Sequence, residues 1–293
     1  MQRSLPEWLS WLERLHPSTI DLGLERVRQV YERLALDLRH SRIVIVGGTN
    51  GKGSTVTMLA SVLRAAGYRV GTYTSPHLLR YNERVAIDGE PVSDADLCRA
   101  FAAVEALRGE VSLTYFEYGT LAALALFAER RPDYLLLEVG LGGRLDAVNI
   151  VEPELSILTN VALDHLDWLG DTREAIGREK AGIFRPGKYA LYGELDPPQS
   201  VLSEAARIGA LLLRQGEDFS WEDNGDTWTW RGRDARGAEL TLSALPRNGF
   251  PLDNAATVVQ ALQLLVPHPN PPPQAGEGMF AQAGEGTPAT PSP

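Results

Sequence analysis

The stretch Ile43-Val44-Ile45-Val46-Gly47-Gly48-Thr49-Asn50-Gly51-Lys52-Gly53-Ser54 decides how the chain is read. Four β-branched apolar residues form a short buried strand, the glycines a loop, and the segment 54–66, stopped by Gly67, a helix. A second strand-like run follows at 69–73, so the order strand, loop, helix, strand marks a parallel βαβ unit. The loop suits an anion. Its glycines let the backbone approach closely, its N–H groups can point inward, and the helix start adds partial positive charge. Lys52 is placed to reach outer phosphates, and Ser54 or Thr55 to offer a hydroxyl to Mg²⁺. The pattern departs from the strict phosphate-loop consensus, because Gly53 separates Lys52 from Ser54 and Val46 stands where the first glycine belongs. A turn that merely joins strand to helix is the competing reading. The flanking elements favour phosphate binding, with Thr49, Asn50, Gly51, Lys52, Gly53 and Ser54 as the candidate contacts.

Outward from the loop the rhythm repeats. Residues 121–129 read as a helix, 134–139 and 155–159 as buried strands, 173–183 as a helix and 188–192 as a strand. Strands this apolar belong to a sheet covered by helices on both faces. The predicted fold is therefore α/β, with a mostly parallel, P-loop-type sheet. A small antiparallel addition is predicted near 219–245, where the runs 221–230 and 238–242 are joined by Gly and Asp turns. Upstream, 5–36 has an amphipathic helical pattern interrupted at 16–21, and 253–265 returns to helix. Residues 1–266 are expected to form one nucleotide-binding domain. In 267–293 the five-residue run Gln274-Ala275-Gly276-Glu277-Gly278 recurs at 282–286. That Pro/Gly-rich composition cannot bury enough apolar surface to offset chain entropy, and a disordered tail is expected.

Composition narrows the function. With 293 residues, 44% of them hydrophobic, the chain can build one large core or two domains. A formal net charge of -10 argues against nucleic-acid or anionic-membrane partners, while leaving room for a local basic pocket. The single cysteine, Cys98, cannot form an internal disulfide and falls in a helical pattern, where packing is its expected role. The N-terminal run lacks the apolar core and cleavage site of a signal peptide, and no stretch has the length of a membrane span. A cytoplasmic monomer is the expectation.

Two further features carry chemistry. Glu138 ends the apolar run Leu135-Leu136-Leu137 just before Gly140, at the strand edge where open α/β sheets bind ligands. Burying a carboxylate there is costly unless a cation compensates it, and Mg²⁺ is the simplest candidate; the alternative is a carboxylate emerging at a strand end. Thr114-Tyr115-Phe116-Glu117 mixes aromatic faces with an acid, which suits a flat heteroaromatic ring. Thr114 and Glu117 also have the spacing of a helix capping box. Taken alone, His165 reads as a surface residue and Lys180 as a solvated helix lysine or a phosphate contact.

The loop is accompanied by Thr19-Ile20-Asp21-Leu22-Gly23-Leu24-Glu25-Arg26-Val27, Thr74-Ser75-Pro76-His77-Leu78, Thr114-Tyr115-Phe116-Glu117-Tyr118-Gly119-Thr120, Leu137-Glu138-Val139-Gly140-Leu141-Gly142-Gly143-Arg144-Leu145-Asp146, Leu163-Asp164-His165 and Arg178-Glu179-Lys180-Ala181-Gly182-Ile183. With this set, 19–254 resembles the folate-adding dihydrofolate synthase/folylpolyglutamate synthase branch of the Mur ligase superfamily. The resemblance implies an ATP-dependent ligase of folate biosynthesis and one-carbon metabolism, joining L-glutamate to dihydropteroate or a reduced folate through an acyl phosphate. It implies two Mg²⁺ ions, one near Ser54 and a second held by Ser75, Glu138 and His165, although imidazole is an unusual Mg²⁺ ligand. It also implies a carbamylated Lys180, with Lys52, Lys180 and His165 as the catalytic set. Thr114, Tyr115, Phe116, Glu117, Leu145, Asp146 and Ala147 would contact the pterin-bearing substrate, bordered by 21–26, and Asn254 would lie near adenine. The family continues through a second, Rossmann-like domain, whose absence here would impair glutamate addition unless another polypeptide supplies it. Two alternatives stand beside this reading. A peptidoglycan-building Mur ligase usually carries an N-terminal uridine-nucleotide domain, for which the roughly forty residues before the loop are too few. A non-enzyme reading, a binding-only nucleotide switch, would keep the loop but gives no reason for the segment at 114–120, and a nucleotide-binding remnant without turnover is its variant that follows from the missing domain.

Overall fold

The computed structural model describes residues 3–18, 20–247 and 249–266; the tail expected from 267 onward lies outside the described residues. The amphipathic N-terminal pattern becomes two helices, α1 (Leu5–Leu12) and α2 (Glu25–Leu34). Glu7 closes α1 at its start by accepting the Ser4 amide at 2.7 Å. Ala35 ends α2 in the left-handed conformation. The decisive stretch folds as β1 (Arg42–Gly47), loop and α3 (Lys52–Ala65), followed by β2 (Val70–Tyr73).

Next comes a hairpin that the sequence reading did not resolve, β3 (Val85–Ile87) and β4 (Glu90–Pro91). Its two-residue turn is Asp88-Gly89, both with positive φ, which is the Asp-Gly chemistry tight hairpins prefer. Helices α4 (Asp94–Arg108) and α5 (Tyr115–Arg130) follow, then β5 (Tyr134–Glu138), β6 (Leu155–Leu158), α6 (Leu166–Leu169), α7 (Arg173–Ala181) and β7 (Tyr189–Tyr192). Another unread pair, α8 (Gln199–Ile208) and β8 (Leu211–Arg214), completes the sheet. The antiparallel addition is β9 (Ser220–Asp223), β10 (Thr227–Arg233) and β11 (Glu239–Pro246), and α9 (Leu252–Leu265) closes the described chain. Among the described residues, no helix is long and apolar enough to cross a membrane.

The main sheet runs β4-β3-β2-β5-β1-β6-β7-β8, parallel from β2 to β8 with the hairpin antiparallel at one edge. After β1 the chain first builds toward β2 and later crosses to β6 on the other side. The strand order therefore reverses around β1, and a crevice opens beyond its carboxyl end, where such sheets bind ligands. Register places Val46 beside Glu138 and Gly47 beside Leu158, so the loop emerges between the ends of β5 and β6.

Alternation along β1 explains the two-layer core. Ile43 and Ile45 pack with α1, α2, α4 and α5 on one face, while Val44 and Val46 pack with α3 and α9 on the other. Val44, Ile45 and Val46 are fully buried, and each such side chain contributes about 1.5–3 kcal/mol. The small sheet covers the second face through Trp228 and Trp230.

Candidate functional site

Gly48 and Gly51 shape the loop. Gly48 has φ +141°, and a Cβ there would stand 1.8 Å from the Thr159 hydroxyl oxygen. That hydroxyl donates to the Asn50 carbonyl at 2.6 Å. The Thr49 amide donates to the Asn160 carbonyl at 3.1 Å, and the Asn50 amide to Asn160 Oδ1 at 2.9 Å. The segment after β6 thus clamps the first half of the loop. This corrects one expectation, since the amides of Thr49 and Asn50 are committed to Asn160 rather than turned to an anion. The first intrahelical bond of α3 runs from the Thr55 amide to the Gly51 carbonyl, so the amides of Lys52, Gly53 and Ser54 stand at the positive helix end. Of the two hydroxyls considered for a metal, Thr55 is completely buried without a hydrogen-bond partner, whereas Ser54 is half-buried and faces a cavity.

Two lysines meet beneath the loop. Lys52 Nζ donates to the carbonyls of Gly48 at 3.0 Å and Thr49 at 3.1 Å, and Lys180 Nζ donates to the same Gly48 carbonyl at 3.1 Å. Lys180 is therefore no solvated helix lysine; it is 2% exposed. Burial first, and the Lys52 charge second, pull its ammonium down to a pKa of about 8.

Glu138 lies 5% exposed at the end of β5. It accepts the Ser75 amide at 3.1 Å and forms no ion pair among the described residues, and burial raises its pKa. A methyl group on Gly53 would stand 3.7 Å from this carboxylate, in ordinary van der Waals contact, so the extra glycine after Lys52 lies directly against the acid. A buried acid with no ion pair among the described residues, only the more distant charges of Lys52 and Arg84, and next to an open hydroxyl and a helix N-terminus, fits a hard cation. Among the described residues no three His, Cys, Asp or Glu side chains converge as a metal cage. His165 stands exposed on its loop, with φ +49° and Nε2 3.5 Å from Asp164 Oδ2.

In front of Lys52 lies a cavity of about 450 Å³. It gathers Thr49, Lys52, Ser75 and His165 with the expected substrate residues Thr114, Phe116, Glu117, Leu145, Asp146 and Ala147, and with 20–23. Phe116 packs against Tyr73 at 5.8 Å, and Gly140 lets its ring lie over the backbone, since a Cβ there would stand 2.6 Å from the ring. Thr114 and Glu117 do form the capping box of α5, which is why that helix begins at Tyr115 rather than at 121. Glu117 Oε1 also takes a hydrogen bond from Arg26 at 3.1 Å, and Arg26 reaches Asp21 at 2.8 Å. Asp146 accepts the Leu141 and Val148 amides at 2.8 and 3.0 Å, yet burial still pushes its pKa up to about 7.

Tyr115 departs from the expectation. Successive helix residues point about 100° apart, so Phe116 borders both the main cavity and a neighbouring one of about 490 Å³, while Tyr115 lines the neighbour and not the main cavity. Arg84, which the sequence reading missed, borders both. It lies in a short polar turn with no periodicity to mark it. Asn50, Gly51, Ser54 and Asn254 line a third space of about 300 Å³ with Thr159, Asn160 and Glu194. There the Asn254 amide packs on the loop, 2.6 Å from where a Cβ on Gly51 would be.

The Mur ligase middle domain family matches residues 46–207. The dihydrofolate synthase/folylpolyglutamate synthase of Escherichia coli (strain K12) is 50% identical over 259 residues, which are 88% of this chain and 60% of that protein. Its counterpart in Haemophilus influenzae is 48% identical over 263 residues, 89% of this chain and 58% of that one. Among solved structures, E. coli FolC in complex with DHPP and ADP superposes with a TM-score of 0.85 at 50% identity, covering 89% of this chain and 62% of that one. The bifunctional synthase of Yersinia pestis complexed with AMPPNP and Mn ion gives 0.82 at 52% identity, with the same coverages. The chain thus spans about three fifths of the length of the relatives it matches.

Proposed function

The chain belongs to the Mur ligase family, whose middle domain spans 46–207, and we propose from that premise that it activates the carboxylate of a pterin-bearing acid with ATP for amide formation with L-glutamate. One observation carries this reading: the phosphate loop and its lysine open onto the same cavity as the Phe116, Leu145 and Asp146 wall. The relatives named above include forms bound to DHPP and ADP, or to AMPPNP and Mn, which supports placing nucleotide and pterin side by side.

In this proposal the nucleotide phosphates lie over the start of α3, with Asn254 beside the base. Lys52 leaves the Gly48 carbonyl and follows the γ-phosphate, leaving the Lys180 Nζ–H as that carbonyl's donor. Ser54 would hold one Mg²⁺, and Ser75, Glu138 and His165 a second. A cation held there would supply charge neutralisation to phosphoryl oxygens, and Mg²⁺, which keeps phosphate and water ligands, would need few carboxylates from the chain. The pterin stacks on Phe116, and its benzoate points to the loop. A carboxylate oxygen attacks the γ-phosphorus as the bond to the β-phosphate oxygen breaks, giving acyl phosphate and ADP. The glutamate amine then attacks the acyl carbon, releasing phosphate and a proton. Positioning and charge compensation suffice for both transfers, with no protein nucleophile.

Lys180 fits a further role. With its pKa near 8, an appreciable share is free amine at neutral pH, the form whose nitrogen attacks CO2 to give a carbamate and a proton. The carbamate replaces one of two facing ammonium groups with an anion. Incubation with ¹³C-bicarbonate should give a carbamate carbon signal that Lys180→Met abolishes.

Equilibrium binding tests the site assignment. The full chain should bind both Mg-AMPPNP and dihydropteroate. Phe116→Ala should weaken dihydropteroate binding by about tenfold, in line with the loss of one stacking ring, with nucleotide affinity retained. Nucleotide binding without any dihydropteroate binding by the parental chain would overturn the proposal in favour of a nucleotide switch.

A further inference from the structure

Arg84 stands on the wall between the main cavity and its 490 Å³ neighbour. Its backbone carbonyl accepts the Thr74 amide at 2.9 Å, which fixes it next to Ser75. Its Nε donates to His77 Nδ1 at 2.9 Å, and its guanidinium lies 5.4 and 5.7 Å from the ring centres of Tyr81 and Tyr115. The side chain is half-buried, yet it forms no ion pair among the described residues, and neither Nη group has a hydrogen-bond acceptor there. Arg26 contrasts with it in being paired to Asp21 and Glu117. A guanidinium fork held in place by aromatic faces and left without an anion is built to receive one, and its geometry matches a carboxylate.

His77 adds a second donor. Because Nδ1 accepts from Arg84, the ring proton of the neutral imidazole sits on Nε2, and His77 lines the neighbouring cavity. The other polar groups of that cavity are Glu13, exposed at its rim, His16, already bonded to Ser18 and 3.5 Å from Asp21, Ser18 itself and the Tyr115 hydroxyl.

We propose that Arg84, with His77, forms a subsite for the α-carboxylate of the glutamyl residue that a folate substrate already carries, and that this second cavity takes the glutamyl portion of folate substrates. The inference rests on the reading of the main cavity as the pterin site. Dihydropteroate carries a single carboxylate, which must lie at the phosphate loop. A folate already bearing glutamate carries an α-carboxylate as well, while its γ-carboxylate must occupy the reacting position. With both ends of the molecule fixed, the glutamyl segment has to leave the direct path, and the adjoining cavity beside Arg84 is where an unpaired cation awaits it.

The test compares dihydrofolate with dihydropteroate, which differ by that one glutamyl residue. Dissociation constants are measured by titration calorimetry for the full chain and for Arg84→Gln, Arg84→Lys and His77→Gln, with Mg-ADP binding as the check on folding. Arg84→Gln should shift the ratio of the two affinities against dihydrofolate by about tenfold, as expected for loss of a charge-assisted hydrogen bond. Arg84→Lys should restore part of that shift, and His77→Gln should give a smaller shift of the same sign. Equal weakening of both ligands, or no change in the ratio, would overturn the subsite. Failure of the parental chain to bind dihydropteroate at all would instead count against the reading of the main cavity.

Discussion

Single residues at this site were legible where chemistry and position coincide. Glu138 stands out because an acid inside a leucine run needs compensation, and it lies buried beside the loop with no ion-pair partner among the described residues. Lys180 was opaque, because nothing local distinguishes a buried lysine from a solvated one; only the fold brings it 3.1 Å from the Gly48 carbonyl. Asp146 makes a prediction at this scale. Its carboxyl is raised from 3.8 to about 7, so between those values the folded chain holds a proton that the unfolded chain has lost. Its contribution to stability is therefore greatest in acid and falls as pH rises through that window. Urea unfolding of Asp146→Asn at several pH values should show a flatter dependence between pH 4 and 7 than the parental chain. An unchanged slope would show that Asp146 titrates alike in both states.

At the scale of elements, the long apolar strands and the helices with clear caps were readable, since alternation and capping are local signals. The hairpin β3–β4 was not, because three apolar residues followed by a Pro-containing strand give too short a pattern, although its Asp88-Gly89 turn could have marked it. Strand β8 was hidden by its edge position, where Leu211 is exposed and alternation fails. The antiparallel addition was read at nearly its observed place, 220–246, but its use was not evident. Trp221 Nε1 donates to Asp253 Oδ1 at 2.8 Å, and Gln215 donates to the same oxygen, so β9 grips the first turn of α9 just where Asn254 leans on Gly51. Loosening that grip should cost nucleotide affinity without touching the pterin wall. Trp221→Phe should raise the dissociation constant for Mg-ADP by roughly three- to tenfold, the value of one ordinary hydrogen bond, with dihydropteroate affinity preserved. Equal losses for both ligands would make the contact a matter of general stability.

At the scale of the whole molecule, reversal of strand order around β1 brings together segments far apart in sequence: the loop, the end of β5, the turn after β6 and the start of α9. The sequence motifs named most of these segments, but not how they divide among three neighbouring cavities, because that depends on which face of α5 each residue takes. The central claim is that ATP and a pterin-borne carboxylate react in one crevice at this edge. Positional isotope exchange tests it, using ATP labelled with ¹⁸O in the β,γ-bridge, Mg²⁺ and dihydropteroate, with L-glutamate omitted. Acyl phosphate formed reversibly in the crevice should scramble the label into the β-nonbridging positions, and only when dihydropteroate is present. A bridge label that stays in place, in a chain that binds both ligands, would contradict the claim.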